Sequence, residues 1–140
     1  MSNVYARERN TTTLETINVS RELSVEVYKL IMNDKKFPKK HRYFIGKSLY
    51  NISESITENL YRANNIFPRN KEDLKTRLNY QNKSLQECSL FLNFLELYSV
   101  VLTEISYKDI EKFSNLTVRV KQLLTNWIKS DKEQFKDLSD

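Results

Sequence analysis

KEDLKTRLNYQNKSLQECSLFLNFLELYSVVLTE, residues 71–104, decides the fold. The stretch contains neither Gly nor Pro. Leu74, Leu78, Leu85, Cys88, Leu92, Leu95, Leu102 and Ile105 recur at spacings that return to one side of an α-helix. Asn70-Lys71-Glu72-Asp73 supplies a side-chain cap and early acids for its start. A second stripe, Phe91, Phe94, Tyr98 and Val101, runs beside the first. A bundle helix needs only one apolar face. Two faces predict burial on both sides: one in the bundle, the other against a neighbouring subunit. A central helix wrapped by its own three partners is the alternative.

Three further helices flank this one. Thr12-Thr13-Leu14-Glu15 reads as a capping box, with a hydroxyl followed three residues later by a carboxylate. Leu14, Ile17, Leu23, Val27, Leu30 and Ile31 then form an apolar stripe that ends in the polar run 33–36. Pro38 suits the first turn of the next helix. That helix is expected over 38–65, with Ile45, Leu49, Ile52, Ile56, Leu60 and Ala63 facing inward. Asn64, Asn65 and Pro68 close it. Ser106 with Asp109 caps the last helix, which carries Ile110, Phe113, Leu116, Val120, Leu123, Leu124, Trp127 and Ile128. Short connections make neighbours antiparallel. The expectation is an all-α, up-down-up-down four-helix bundle. It forms a single domain over 1–140, with 1–12 and 131–140 as flexible tails.

Composition agrees. The chain has 140 residues, one Gly and two Pro, too few for the tight turns of a sheet protein. A single Cys, Cys88, excludes an internal disulfide. Residues 1–13 are polar and include Arg7, Glu8 and Arg9, so they do not read as a signal peptide. No apolar run is long enough to span a membrane. The cytoplasm is the expected location.

Catalytic residue types are scarce. His41 is the only His, so neither paired Glu-x-x-His di-iron ligands nor a four-ligand zinc site can be assembled. A nucleophilic triad or dyad has to use His41, in a basic segment where a proton acceptor is poorly placed. Gly46 alone cannot make a phosphate-binding loop. The expectation is a chain that is not an enzyme and has no cofactor or metal.

Lys35, Lys36, Lys39, Lys40, Arg42 and Lys47 form a run with no acid between Lys35 and Ser53. These six charges exceed the net charge of +5, so the excess is local. Several sit where a helix begins, a position that disfavours cations. The exposed N–H groups of that helix start favour phosphate. His41, Tyr43 and Phe44 add rings that either stack on bases or simply pack. The run reads either as a contact for the nucleic-acid backbone, weakly selective for sequence and strongly salt-dependent, or as a solvated loop. Arg69, Lys71, Lys75 and Arg77 form a second basic group, expected at the opposite end of the bundle.

The segment Lys36-Phe37-Pro38-Lys39-Lys40-His41-Arg42-Tyr43-Phe44-Ile45-Gly46 resembles the Phe-Pro-x-x-x-Arg segment, followed by a short Gly-containing stretch, of the accessory variability determinant (Avd) family. Ala63 with Asn64 resembles the end of that family's second helix, and Tyr107 the Tyr that opens its last. Residues 123–129, with Trp127, Ile128 and Lys129, resemble its closing Trp-containing segment, although Thr125 and Asn126 stand where it has glycines. The resemblance implies a homopentameric four-helix barrel that binds RNA or DNA. It also implies association with the reverse transcriptase of a diversity-generating retroelement. Arg42 then either contacts phosphate or pairs with Glu104 or Asp34. Trp127 is assigned to the core or a subunit interface ahead of a stacking role, because it continues the stripe from Leu123 and Leu124. Phe91, Phe94, Tyr98, Val101 and Trp127 are the expected subunit contacts. A sister group, encoded by intervening sequences of ribosomal RNA genes, shares the fold. It supplies the alternative: a structural or protein-interaction bundle without nucleic-acid affinity.

Overall fold

In a computed structural model, the backbone is described for residues 2–138 and the side chains for residues 13–138. Four helices follow one another: α1 (Ser2–Ile31), α2 (Lys47–Asn64), α3 (Lys71–Ser99) and α4 (Tyr107–Gln134). There is no strand among the described residues. Each helix packs on its sequence neighbour, and α4 closes the ring on α1. The chain is an all-α four-helix bundle. The 32–46 and 100–106 connections lie at one end, and the 65–70 connection lies at the other.

Two of the caps read in the sequence form. Asn70 Oδ1 accepts from the Asp73 N–H at 2.8 Å, and Asp73 Oδ2 accepts from the Arg69 N–H at 3.2 Å. Ser106 Oγ accepts from the Asp109 N–H at 3.1 Å. These bonds satisfy donors that the first turns of α3 and α4 leave open. The expected box at Thr12 does not begin a helix, because α1 already runs from Ser2. Thr13 and Thr16 instead lie buried in its interior face.

The C-terminal expectation also changes. Residues 131–138 continue as helix on the bundle: α4 runs to Gln134, a 3₁₀ turn follows, and Asp131 and Phe135 are buried. Polarity hid this, because Asp131 is buried as half of an ion pair. Residues 139 and 140, also assigned to that tail, lie outside the described residues.

The second helix begins later than 38. Pro38 has φ −59°, the value its ring enforces, and precedes a short 3₁₀ turn, Lys39–His41. A single π-helical turn, Arg42–Gly46, then leads into α2. Asn33 shapes the approach: its Oδ1 accepts from the N–H of Lys35 at 3.0 Å and of Lys36 at 3.3 Å. Phe37 is thereby turned into the core and fully buried. Gly46 lies against it. A Cβ at Gly46 would fall 3.0 Å from Ile31 Cγ2 and 3.3 Å from Phe37 Cε1. No other residue type fits there without moving one of these side chains.

Leu23, Ile56, Leu60, Phe91, Val120 and Leu124 form an apolar core sealed from solvent. Its α1–α2–α3 side carries small hydroxyls. Thr57 Oγ1 donates to Ser20 Oγ at 2.8 Å, and Ser84 Oγ donates to the Ile56 carbonyl at 2.9 Å. Short side chains let helices approach closely, and these hydroxyls are satisfied where they do, although Ser24 Oγ on α1 is buried without a partner.

Phe37→Ala should lower unfolding stability by about 3–5 kcal/mol, the cost of emptying a filled aromatic site. Urea denaturation followed by circular dichroism measures it. A loss below about 1 kcal/mol would show that the end connection is not packed as described.

Candidate nucleic-acid interface

The basic residues separate into two groups by what their charges touch. Arg42 is only partly exposed. Its Nε donates to the Ile31 carbonyl at 2.8 Å, and its Nη2 pairs with Asp34. The guanidinium therefore caps the last turn of α1 and ties the connection to it. Of the alternatives for Arg42, the pairing with Asp34 forms. Lys36 Nζ lies 3.0 Å from Asp109 Oδ2 and so bridges the connection to α4. Lys39 Nζ stands 3.9 Å from Asp34 Oδ2, a loose and exposed contact. Among the described residues no carboxylate pairs with Lys35, Lys40 or Lys47, and all three are exposed.

Arg77 does not belong to a binding surface. Its side chain is 11% exposed and its partner Asp131 is 1% exposed. Arg77 Nε and Nη2 donate to Asp131 Oδ2 and Oδ1 at 2.7 and 3.0 Å, and Nη1 donates to the Ile66 carbonyl at 2.8 Å. Gln81 Nε2 donates to Asp131 Oδ2 at 2.6 Å. The guanidinium carbon lies 5.3 Å from the Trp127 ring and 5.9 Å from the Phe135 ring. All three guanidinium nitrogens donate inside the bundle, and with aromatic rings beside the group and little of it exposed, it is not presented to a phosphate. Arg69, Lys71 and Lys75 remain exposed at that end. As expected from the topology, the two exposed groups stand at opposite ends of the bundle.

The π-helical turn sets the character of the other end. It directs Ile45 and Gly46 into the core and leaves Tyr43 70% and Phe44 78% exposed. The two rings meet edge to face, with centroids 5.2 Å apart and planes at 86°. Lys47 Nζ sits 5.4 Å from the Tyr43 centroid. Of the three rings that were to stack or pack, Tyr43 and Phe44 do not pack in the bundle, while His41 is half-buried. Their hydrophobicity argues for burial, and only the backbone path turns them outward. This end thus presents two adjacent rings among Lys39, Lys40 and Lys47.

The expected subunit contacts divide as well. Phe91 and Trp127 are buried inside the bundle and cannot meet a second copy. Trp127 packs closely without flanking glycines, because Thr125 and Asn126 are exposed. Phe94 and Tyr98 are half-buried and stacked, with centroids 5.5 Å apart, and Val101 is exposed. Leu90, Leu97 and Val100 are exposed too, and sequence reading missed them. Leu90 and Leu97 are two turns apart and share a face, a signal that was present.

The catalytic residue types stay apart. Cys88 is sealed in the middle of α3, where burial pushes its thiol up to about 12, while His41 lies in the end connection. Among the described residues, no three His, Cys, Asp or Glu side chains gather as metal ligands. No helix among the described residues is long and apolar enough to cross a membrane. No protein-family model, curated protein or solved structure matches the chain.

Two carboxylates between α1 and α4 are held below their ordinary range. The Lys112 ammonium, 2.8 Å from Glu26 Oε2, lowers Glu26 against the opposing effect of burial. Burial alone would raise Asp109, but hydrogen bonds from Lys36 and Ser106 outweigh it. A carboxylate depressed in the folded state stabilises above its unfolded pKa, and that stabilisation fades as pH falls through the folded value. Lys112→Met should therefore flatten the decline in urea midpoint between about pH 5 and 3 relative to the parent. An equally steep decline in both would remove Glu26 from the acid response.

Arg77→Met leaves Asp131 buried without its cation, and about 3–5 kcal/mol of stability should be lost. Lys75→Met, two positions away and exposed, should change stability by less than about 0.5 kcal/mol. Parallel chemical denaturation of the two variants makes the comparison. Equal effects would show that Arg77 is a surface residue after all.

Proposed function

We propose that this chain is a non-catalytic nucleic-acid-binding bundle that assembles with copies of itself. In this reading it is an accessory to a reverse transcriptase in the mutagenic retrohoming of a diversity-generating retroelement. One observation carries the binding role. Lys35, Lys39, Lys40 and Lys47 stand exposed at one end around a pair of outward-facing rings. The attraction is to phosphate, so binding is weakly selective for sequence and falls with salt. Self-assembly draws support from the exposed apolar residues Leu90, Leu97, Val100 and Val101. An unpartnered apolar seam on a soluble bundle favours a protein neighbour. The number five and the reverse transcriptase partner rest on the resemblance carried by Phe37, Pro38, Arg42, Gly46 and the Trp127-Ile128-Lys129 segment.

The same apolar seam favours a second reading. A structural or protein-interaction bundle of the ribosomal RNA intervening-sequence type uses the seam and needs no nucleic acid.

Light-scattering mass of nuclease-treated protein, with and without a short structured RNA, separates the two. The expected result is an oligomer that gains RNA mass at low salt and sheds it at high salt. With the four lysines as phosphate contacts, the log–log salt slope should be about −3 per subunit on a single strand. Lys39→Glu together with Lys40→Glu should weaken RNA retention at least about tenfold, with the helical spectrum unchanged. An oligomer that ignores RNA at every salt concentration favours the second reading, and a monomer that ignores it defeats both.

A further inference from the structure

We infer that Phe44 is a base-stacking residue and that this end of the bundle takes a single-stranded segment of nucleic acid in preference to duplex. The inference rests on the nucleic-acid-binding role proposed above and specifies the form of the ligand.

Phe44 is the most exposed ring of the described connection between α1 and α2, at 78%. Tyr43 is its one ring partner among the described residues, in an edge-to-face contact. A planar ring has two faces, and one neighbour covers at most one of them. Phe44 therefore keeps at least one face open to solvent. The Tyr43 ring is occupied differently, because the Lys47 ammonium lies over it. That contact holds a cation beside the open ring, where a phosphate of a stacked nucleotide needs one. Lys39 and Lys40 lie in the preceding 3₁₀ turn and extend the charge along the connection.

The platform is fixed before any ligand arrives. Ile45 and Gly46, which follow Phe44, are buried, and Gly46 is in close contact with Ile31 and Phe37. Arg42, two residues before Phe44, is bonded to the Ile31 carbonyl and to Asp34. The backbone beneath the ring is thus pinned on both sides, which limits the entropy lost on binding.

Duplex and single strand offer this surface different things. In a duplex the base faces are already stacked, and phosphates and groove edges remain. A single strand offers free base faces as well as phosphates. Lysines alone serve both ligands, whereas an exposed ring adds affinity only for the second. An apolar protein segment could also cover Phe44, but the surrounding lysines, unpaired at Lys40 and Lys47, favour an anionic ligand.

The test uses the full chain and fluorescence anisotropy with two labelled probes at low salt, an oligouridine and a blunt RNA duplex. Phe44→Ala should weaken oligouridine binding by about 5- to 150-fold and leave duplex binding unchanged. The unfolding midpoint should not move, because the side chain is exposed. Phe44→Trp should restore oligouridine binding, and its new indole emission should be quenched on binding over the constant background of buried Trp127. The inference is overturned if Phe44→Ala binds oligouridine like the parent, or if both probes weaken equally. It is also overturned if the substitution changes the oligomer mass, which would make Phe44 a protein contact. Parent protein that binds neither probe defeats the nucleic-acid role itself, an outcome distinct from parent protein that binds both with Phe44 irrelevant.

Discussion

The buried pair of Arg77 and Asp131 constrains the rest of the bundle. Removing a guanidinium and a carboxylate from water is costly, and the cost is offset only when every polar direction is answered. Here both carboxylate oxygens and all three guanidinium nitrogens are bonded, with partners from three elements, although Gln81 Oε1 is buried without one. Arg77 and Gln81 come from α3, Asp131 comes from α4, and the Ile66 carbonyl comes from the connection before α3. The Trp127 and Phe135 rings lie near the guanidinium, and Phe67 meets Phe135 edge to face. Apolar contacts tolerate a helix sliding by a fraction of a turn. A bidentate ion pair does not, since a small shift leaves both charges buried and unpaired. The register of α3 against α4 follows from that intolerance, and so does the continuation of α4 past Ser130.

A second arginine has the corresponding task at the other end. Arg42 caps α1 and holds Asp34, Phe37 seals the core, and Gly46 admits Ile31 and Phe37 at close range. These residues are also the ones whose spacing stood out in the sequence. Their shared task is to close the bundle, so their pattern speaks to architecture. The residues between them are free of that task. Tyr43 and Phe44 face solvent from the π-helical turn, Lys39 and Lys40 from the 3₁₀ turn before it, and Lys47 from the start of α2. Structure and candidate function are thus interleaved residue by residue in one short connection.

Helix α3 has a comparable division of labour. Its interior line runs through Leu74, Gln81, Ser84, Cys88, Phe91 and Leu95. Polar Gln81 and Ser84 are buried where they meet Asp131 and the Ile56 carbonyl. Leu90 and Leu97 lie outside. An apolar residue turned to solvent contributes nothing to the isolated bundle. That seam is where the proposed assembly places a second copy.

What the sequence determined by itself was the architecture. Scarce Gly and Pro, long stripes of apolar residues, and the caps at Asn70 and Ser106 are local signals. They act through backbone geometry and period, and neither depends on a distant partner. Tertiary structure alone decided which charges and rings are available. Arg77 and Lys75 are alike in sequence, yet one is sealed and the other exposed, because only Arg77 finds an acid fifty-four positions away. Asp131 looked like the start of a polar tail for the same reason. Phe91 and Phe44 are both aromatic residues, and hydropathy assigns them one preference. A helix face buries the first, and a π-helical turn exposes the second. Such outcomes depend on contacts between segments remote in the chain, and no local pattern encodes them.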